Sequence, residues 1–180
     1  MKDKFEFKND KYNITGYIIS GVEKCKKYET DYVYGEEDND KWIFNINGKT
    51  VAFWNTGNNI INGNHVIIDN DEMNIITDFD YFKIDLKTLK CITQIAIDEV
   101  ASINCELLKY RKGFLILCDL EVVCLEDDKV KWVYNASDIL DDIKILDNDV
   151  IEFKEFYGYD EKYTVYLDKD GNRISKKNIN

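Results

Sequence analysis

Apolar residues along this chain occur in short runs that are separated by acidic or glycine-containing turns. In runs such as VKWVY and YTVYL, apolar and polar residues alternate with a period of two, which is typical of a strand with one buried face. β-branched and aromatic residues dominate the runs, and helical periodicity is scarce. The pattern predicts an all-β protein, with the short segments SGVEKCKKYE and NASDILDDI as the best helical candidates.

One strand–turn–strand pattern recurs four times, in IFNINGKTVAFW, KIDLKTLKCITQIA, VVCLEDDKVKWVYN and TVYLDKDGNRIS. The last apolar residues before the turns are Ile46, Leu86, Leu125 and Leu167, which gives spacings of 40, 39 and 42 residues. A period near forty is typical of four-stranded propeller blades. We therefore expect a single β-repeat domain over residues 1–180. The repeat hairpins are predicted near residues 42–54, 82–96, 120–135 and 162–175.

Each later repeat contains two further apolar runs before its hairpin. These runs are broken at Asp69 to Glu72, at Lys112-Gly113 and at Asp147 to Asp149. The chain is thus predicted to form about four successive small antiparallel sheets, as a small β-propeller or an open propeller-like array. In the first repeat, YNITGYIIS and TDYVYG are expected to be strands. The early segment KFEFKN either pairs with the last unit and closes a ring or leaves the array open.

The turn residues support these hairpins because Asn, Asp and Gly tolerate positive φ. Turns are predicted at Asn47-Gly48, Asp127-Asp128 and Asp170-Gly171. The segment DKDGN at 168–172 also suggests a calcium loop. However, its glycine is at position 4 rather than 6, and no glutamate follows at position 12, so we expect no calcium site.

The hairpins VVCLEDDKVKWVYN and TVYLDKDGNRI resemble the outer hairpins of quinoprotein-type and related bacterial propeller repeats. Those repeats read roughly apolar-x-x-Leu-Asp, a turn, Gly-Lys, an apolar residue and Trp. KIDLKTLKCI shares the Asp-Leu-x-Thr turn but has Leu89 where glycine is usual. The resemblance covers most of residues 31–175 and implies a fold. The quinone-contacting pattern of the enzymes is not evident, and fold alone does not imply function.

Charge and cysteine usage suggest where the protein acts. The formal net charge is −11, which disfavours direct binding to nucleic acid and favours a basic protein partner, unless the acidity only maintains solubility. The N-terminal segment MKDKFEFKND predicts no signal peptide, and no apolar stretch is long enough to span a bilayer. Five cysteines without a C-x-x-C pair predict reduced, metal-free thiols in a cytoplasmic protein.

Motifs for catalysis or cofactor binding are scarce. His65 is the single histidine, no G-x-S-x-G elbow accompanies it, and we expect it to cap or pack. One histidine and scattered thiols make a zinc site improbable on ligand spacing. Neither a phosphate-binding P-loop nor a G-x-G-x-x-G motif occurs, so we expect no cofactor.

Acidic clusters are the candidate binding residues, although such clusters are also common in solvated turns. The strongest candidate is the cluster in GEEDNDK, which is expected to reach solvent from a turn. Alternatively, two carboxylates on separate strands could serve glycoside hydrolysis. A further cluster, DNDE, contains Asp69, Asp71 and Glu72. The predicted partner-binding residues are Glu36, Glu37, Asp38 and Asp40, followed by Asp138, Asp141 and Asp142.

Trp54 and Trp132 follow their turns at similar places, which favours packing between neighbouring sheets. The function expected from all of these features is that of a non-enzymatic acidic inhibitor that binds a basic protein. A toxin-immunity protein or a phage-encoded inhibitor of a bacterial defence protein fits this description. The alternatives are a carboxylate-dependent hydrolase or lyase at a propeller mouth, and a self-assembling scaffold repeat.

Overall fold

The computed structural model describes residues 5–55, 63–77, 80–97, 105–157 and 161–178. Within these ranges, 17 strands form four sheets, accompanied by one short α-helix and one 3₁₀ turn. The chain divides into two compact units, residues 1–103 and residues 104–180, with two sheets in each. The prediction of an all-β chain with four successive small sheets is confirmed.

The first sheet is mixed rather than purely antiparallel. Its elements are β1 (Phe5–Lys8), β2 (Asn13–Ser20), α1 (Val22–Lys27), β3 (Tyr32–Tyr34), β4 (Asp40–Ile46) and β5 (Lys49–Asn55). The strand order is β1-β2-β4-β5-β3, and β3 runs parallel to β5. Helix α1 confirms the first helical candidate. Strand β1 pairs with β2, so the predicted alternative in which it pairs with the last unit is wrong.

The other three sheets are four-stranded antiparallel meanders, in which each strand pairs with the next one along the chain. The second sheet contains β6 (Val66–Asp69), β7 (Glu72–Ile76), β8 (Asp80–Asp85) and β9 (Cys91–Ala96). The third contains β10 (Glu106–Tyr110), β11 (Gly113–Leu117), β12 (Glu121–Glu126) and β13 (Lys129–Asn135). The fourth contains β14 (Leu140–Ile145), β15 (Ile151–Tyr157), β16 (Glu161–Leu167) and β17 (Arg173–Asn178).

The second helical candidate, NASDILDDI, is wrong because its last part forms β14. This strand pairs with β15, and its residues Leu140 and Ile143 are buried in the core of the second unit. An isolated helix of this length is marginal in water. Pairing and burial therefore decide the conformation of this segment.

The three predicted hairpin turns are confirmed, and at the third one Gly171 has a φ of 80° in the longer connection between the paired residues Leu167 and Arg173. Asn47 and Gly48 have φ values of 50° and 87°, and Asp127 and Asp128 have values of 51° and 60°. Both pairs form two-residue turns, since Ile46 pairs with Lys49 and Glu126 pairs with Lys129. Positive φ at both central positions is the conformation that matches the twist of the flanking strands.

The predicted break at Lys112-Gly113 is displaced by one residue. The turn consists of Arg111 and Lys112, and Gly113 is the first residue of β11. A Cβ atom at Gly113 would lie 2.0 Å from the carbonyl oxygen of Leu125 on the neighbouring strand. The glycine is therefore required by the close approach of two strands.

Each unit has an apolar core between its two sheets. In the first unit, the core combines aromatic and aliphatic side chains from both sheets, including Phe44, Phe53, Met73, Ile75 and Phe82. In the second unit, the corresponding core includes Leu115, Leu117, Val122, Phe153 and Val165. Within the described ranges, no helix combines the length and the apolar character that crossing a membrane requires.

The predicted packing of tryptophan between neighbouring sheets holds for Trp132 and not for Trp54. Trp132 packs against the core of the second unit, and its Nε1–H donates to the carbonyl oxygen of Lys169 at 3.1 Å. Trp54 instead packs beside α1 on the opposite face of the first sheet, and the Lys41 Nζ lies 4.3 Å from its ring. The two hairpins differ because β12 and β13 contain a register shift at Cys124 and Leu125.

Candidate functional site

The first predicted acidic group lies in the segment between β3 and β4. Glu36 and Glu37 are exposed, and Asp38 is half-buried. Asp40 is only 4% exposed because it is the first residue of β4, so the prediction that the whole group reaches solvent is wrong for this residue. The part of the group that a partner could contact is therefore Glu36, Glu37 and Asp38.

The charges of this segment are only partly paired. The Glu37 Oε1 lies 2.7 Å from the Lys26 Nζ, and both side chains are more than half exposed, so this pair contributes little to stability. The pKa of Asp80, at the start of β8, is raised by burial of its carboxyl group and further by the negative charge of Glu36. The Asp80 Oδ1 accepts a hydrogen bond from Gln94, which acts in the opposite direction. Glu36 and Asp80 together form a local region of negative potential.

The second predicted acidic group surrounds the start of β14 in the other unit. Asp138 is half-buried and its Oδ1 accepts the N–H of Ile139 at 2.8 Å, whereas Asp141 is exposed. Asp142 accepts from the Lys154 Nζ at 2.6 Å and from the Lys144 Nζ at 2.9 Å. These two hydrogen bonds hold the pKa of Asp142 below its usual range. The negative charge of Asp142 is thus balanced by two lysines of its own sheet.

A half-buried carboxyl group also accompanies this second group. Burial raises the pKa of Glu106, and the charges of Asp141 and Asp142 raise it further. Glu106 is the first residue of β10, far from β14 in the sequence. Sequence reasoning missed this proximity because only the packing of the third and fourth sheets brings the three carboxyl groups into one electrostatic environment.

Two exposed apolar residues lie beside the second acidic group. Leu120 is 40% exposed and Ile139 is 52% exposed. The segments that carry them are joined by backbone hydrogen bonds, from the Leu140 N–H to the Asp119 oxygen at 2.7 Å and from the Ala136 N–H to the Leu120 oxygen at 2.8 Å. Sequence reasoning missed this pair because the two residues are separated by a whole hairpin.

A buried ion pair supports the segment before β14. Glu155 is 1% exposed, its Oε1 accepts the N–H of Ser137 at 3.1 Å, and its Oε2 accepts from the Lys176 Nζ at 2.9 Å. Glu155 continues the alternation of buried residues Ile151 and Phe153 along β15. This alternation is the sequence signal for the buried carboxylate, because it places the Glu155 side chain on the buried face of β15.

The third acidic cluster forms a structural network in the first unit. Asp71 accepts hydrogen bonds from the Lys87 Nζ at 2.5 Å, the Tyr12 hydroxyl at 2.9 Å and the Lys11 Nζ at 3.1 Å. These hydrogen bonds hold the pKa of Asp71 far below its usual range. The network joins turns of the first and second sheets, and surface cavities of about 380 and 320 Å³ adjoin it.

The histidine and the cysteines have environments that disfavour acid–base or nucleophilic roles. His65 is 6% exposed, its ring lies 5.4 Å from that of Trp42, and burial lowers its pKa to about 4. The packing predicted for His65 is therefore observed. Burial also raises the pKa of the Cys25 and Cys91 thiols, and raises that of Cys124 to about 11. Thiolates, which are the reactive form, are disfavoured at these positions.

Possible metal ligands are scattered over the residues that the structure describes. Among the residues that the structure describes, no three His, Cys, Asp or Glu side chains are grouped so that they could hold a metal ion.

Comparison with protein-family models and with curated proteins finds no match for the chain. The resemblance to propeller repeats therefore stays a prediction.

Proposed function

We propose that this protein is a non-enzymatic inhibitor that acts in the cytoplasm by binding a basic protein through its acidic surface. A toxin-immunity protein and a phage-encoded inhibitor of a bacterial defence protein are the kinds of protein that fit. The observation that carries the proposal is the exposed pair Glu36 and Glu37 beside Asp80, whose pKa is raised mainly by burial and to a smaller extent by the charge of Glu36. A cationic group of a partner placed here would relieve the repulsion between these carboxylates.

The net charge supports the same proposal. A formal charge of −11 attracts a basic protein over distances of several ångströms, and electrostatic steering increases the rate of association more than it slows dissociation. The environments of the histidine and the thiols also favour binding over catalysis. His65 is a weak base in a closed apolar site, and the Cys124 thiol is protonated at neutral pH.

The test uses a triple variant and a matched control. Glu36→Gln, Glu37→Gln and Asp38→Asn remove three charges from the exposed segment, while the buried Asp40 is left intact to preserve the fold. The control, Glu6→Gln with Asp10→Asn and Glu29→Gln, removes three charges from exposed positions elsewhere in the same unit. A binding partner is first isolated and identified, and association rates are then measured at low and moderate salt.

We expect the triple variant to associate about tenfold more slowly than the control at low salt, with a weaker dependence on salt. If both triple variants slow association equally, only the net charge matters and the segment is not the contact surface. Turnover of a small substrate by the protein alone would refute the binding function.

A further inference from the structure

We propose that Asp119, Leu120, Asp138, Ile139 and Asp141 form one binding surface for an extended basic segment that carries an apolar side chain. We refer to these five residues as the Leu120–Ile139 surface. This inference rests on the proposed function, because it assigns the energetic centre of the contact with the basic partner. It further specifies that the partner must present an aliphatic or aromatic residue flanked by Lys or Arg.

The apolar part of the surface consists of two large exposed residues on segments that backbone hydrogen bonds join. Leu120 and Ile139 are 40% and 52% exposed. Their neighbours Asp119 and Leu140 share a 2.7 Å backbone hydrogen bond, so the two segments run side by side. Single exposed aliphatic residues are common and need no explanation, whereas adjacent ones provide area that a partner can cover.

The segment that carries Ile139 is held in place before any partner arrives. The Ile139 oxygen accepts the N–H of Phe156 at 2.9 Å, and the Ser137 N–H donates to the buried carboxylate of Glu155 at 3.1 Å. Lys176 in turn holds the other oxygen of that carboxylate at 2.9 Å. Because these contacts already order the segment, binding loses little conformational entropy there.

The charge around the apolar pair is negative. Asp119 precedes Leu120, Asp138 precedes Ile139, and Asp141 is exposed at the second residue of β14. Asp142 is not assigned to the surface, since its carboxylate accepts from Lys144 and Lys154 of its own sheet. An apolar centre with a charged rim is the usual composition of a protein interface, in which the centre supplies affinity and the rim supplies steering.

The experiment uses two synthetic basic peptides of equal length and equal lysine content. One alternates Lys with Leu and Trp, and the other alternates Lys with Ser. Each is titrated into the full-length, isotopically labelled protein, and backbone amide shifts are followed by NMR. We expect the apolar peptide to perturb amides at 119–121 and 136–141, and the Lys–Ser peptide to bind at least about tenfold more weakly.

The matched variants separate the surface from general hydrophobicity. The double variant Leu120→Ser with Ile139→Ser should weaken binding of the apolar peptide by about tenfold or more. Ile174→Ser changes a residue of the same unit that is 57% exposed and outside the surface, so it should leave binding unchanged. Both variants replace exposed side chains, and the amide spectrum of the free protein shows directly whether the fold is kept.

Several results would overturn the inference. It is wrong if the two peptides bind equally well, if neither binds, if the shifts occur elsewhere, or if Ile174→Ser has the same effect as the double variant. Concentration-dependent dimerisation that the double variant abolishes would identify a second copy of the chain as the occupant instead. A protein partner that binds the double variant normally, but associates slowly with the Glu36–Glu37–Asp38 variant, would overturn this surface while retaining the proposed function.

Discussion

Glu155 shows how one residue can be tolerated in an environment that opposes its charge. Burial by itself raises the pKa of this carboxyl group, but hydrogen bonds from Lys176, from the Ser137 N–H and from Tyr157 outweigh burial, and the pKa is lowered overall. The Lys176 Nζ also lies 3.9 Å from the Tyr157 ring and 4.4 Å from the Tyr163 ring. The ammonium group is therefore compensated on one side by a carboxylate and on the other by aromatic faces.

Lys176→Met should destabilise the protein by about 3 kcal/mol, because it leaves the carboxylate of Glu155 buried without its partner. The double variant Glu155→Gln with Lys176→Met should recover part of this loss, since the buried charge is then removed as well. Free energies of unfolding from urea denaturation at neutral pH provide the measurement. Lys129→Met, at an exposed position of β13 in the same unit, is the control and should change stability by less than about 0.5 kcal/mol. Equal losses for Lys176→Met and Lys129→Met would contradict this assignment.

At the scale of the element, the β12–β13 hairpin shows how turn chemistry and strand pairing combine. Asp127 and Asp128 occupy left-handed conformations that cost an aspartate more than a glycine. In the β4–β5 hairpin, the two positions with positive φ are occupied by Asn47 and Gly48. The β4–β5 pair keeps one register throughout, whereas the β12–β13 pair has a register shift that turns Trp132 toward the core.

Asp128→Gly should stabilise the protein by about 0.5 kcal/mol, because glycine adopts the positive φ of this position with less strain. The reciprocal change Gly48→Asp should destabilise it by a similar amount, since nothing lies within 4 Å of a Cβ at that position and only the backbone conformation is tested. Thermal and urea unfolding of the two variants provide the measurement. A loss of stability in Asp128→Gly would indicate that the aspartate side chain, and not its φ angle, determines the turn.

Across the whole molecule, most shifted carboxyl groups are stabilised in their charged form. The pKa values of seven described carboxyl groups are lowered by hydrogen bonds and ion pairs, whereas those of Asp80 and Glu106 are raised by burial. A carboxyl group with a lowered pKa in the folded state stabilises the fold at neutral pH. That contribution is lost as the pH falls from the unfolded value through the folded one. The seven groups are Asp31, Asp71, Asp85, Glu126, Asp142, Glu155 and Asp168.

We therefore expect the free energy of unfolding to fall steadily below about pH 5, although the net charge passes through zero near the isoelectric point of about 4.6. Asp80 and Glu106 have the opposite effect on the free energy of unfolding, because protonation removes the cost of burying their charges. Seven groups with a lowered pKa outweigh these two. Urea denaturation at a series of pH values tests this expectation. Asp71→Asn should flatten the curve at its acidic end. A stability that stays constant or rises as the pH falls toward about 3 would show that these contacts do not control the response.

Strand positions and turns were determined by the sequence alone, because both depend on neighbouring residues. The period-two alternation in YTVYL predicts a strand wherever a partner strand exists, and Asn47-Gly48 predicts a turn from its own backbone preferences. The forty-residue spacing of the hairpins was enough to predict four successive small sheets. The buried His65 could likewise be expected, since no catalytic companion accompanies it.

Only the tertiary structure decided which side chains reach solvent and which charges meet. The acidic run predicts an exposed turn for Asp40, but this residue is buried because β4 already begins there. The last part of NASDILDDI forms a strand, not a helix, because it pairs with β15. Backbone hydrogen bonds join the segments that carry Leu120 and Ile139, and Lys176 meets Glu155 across strands that are distant in the sequence. Such contacts depend on how sheets pair and pack, and the local pattern of a single chain carries no information about them.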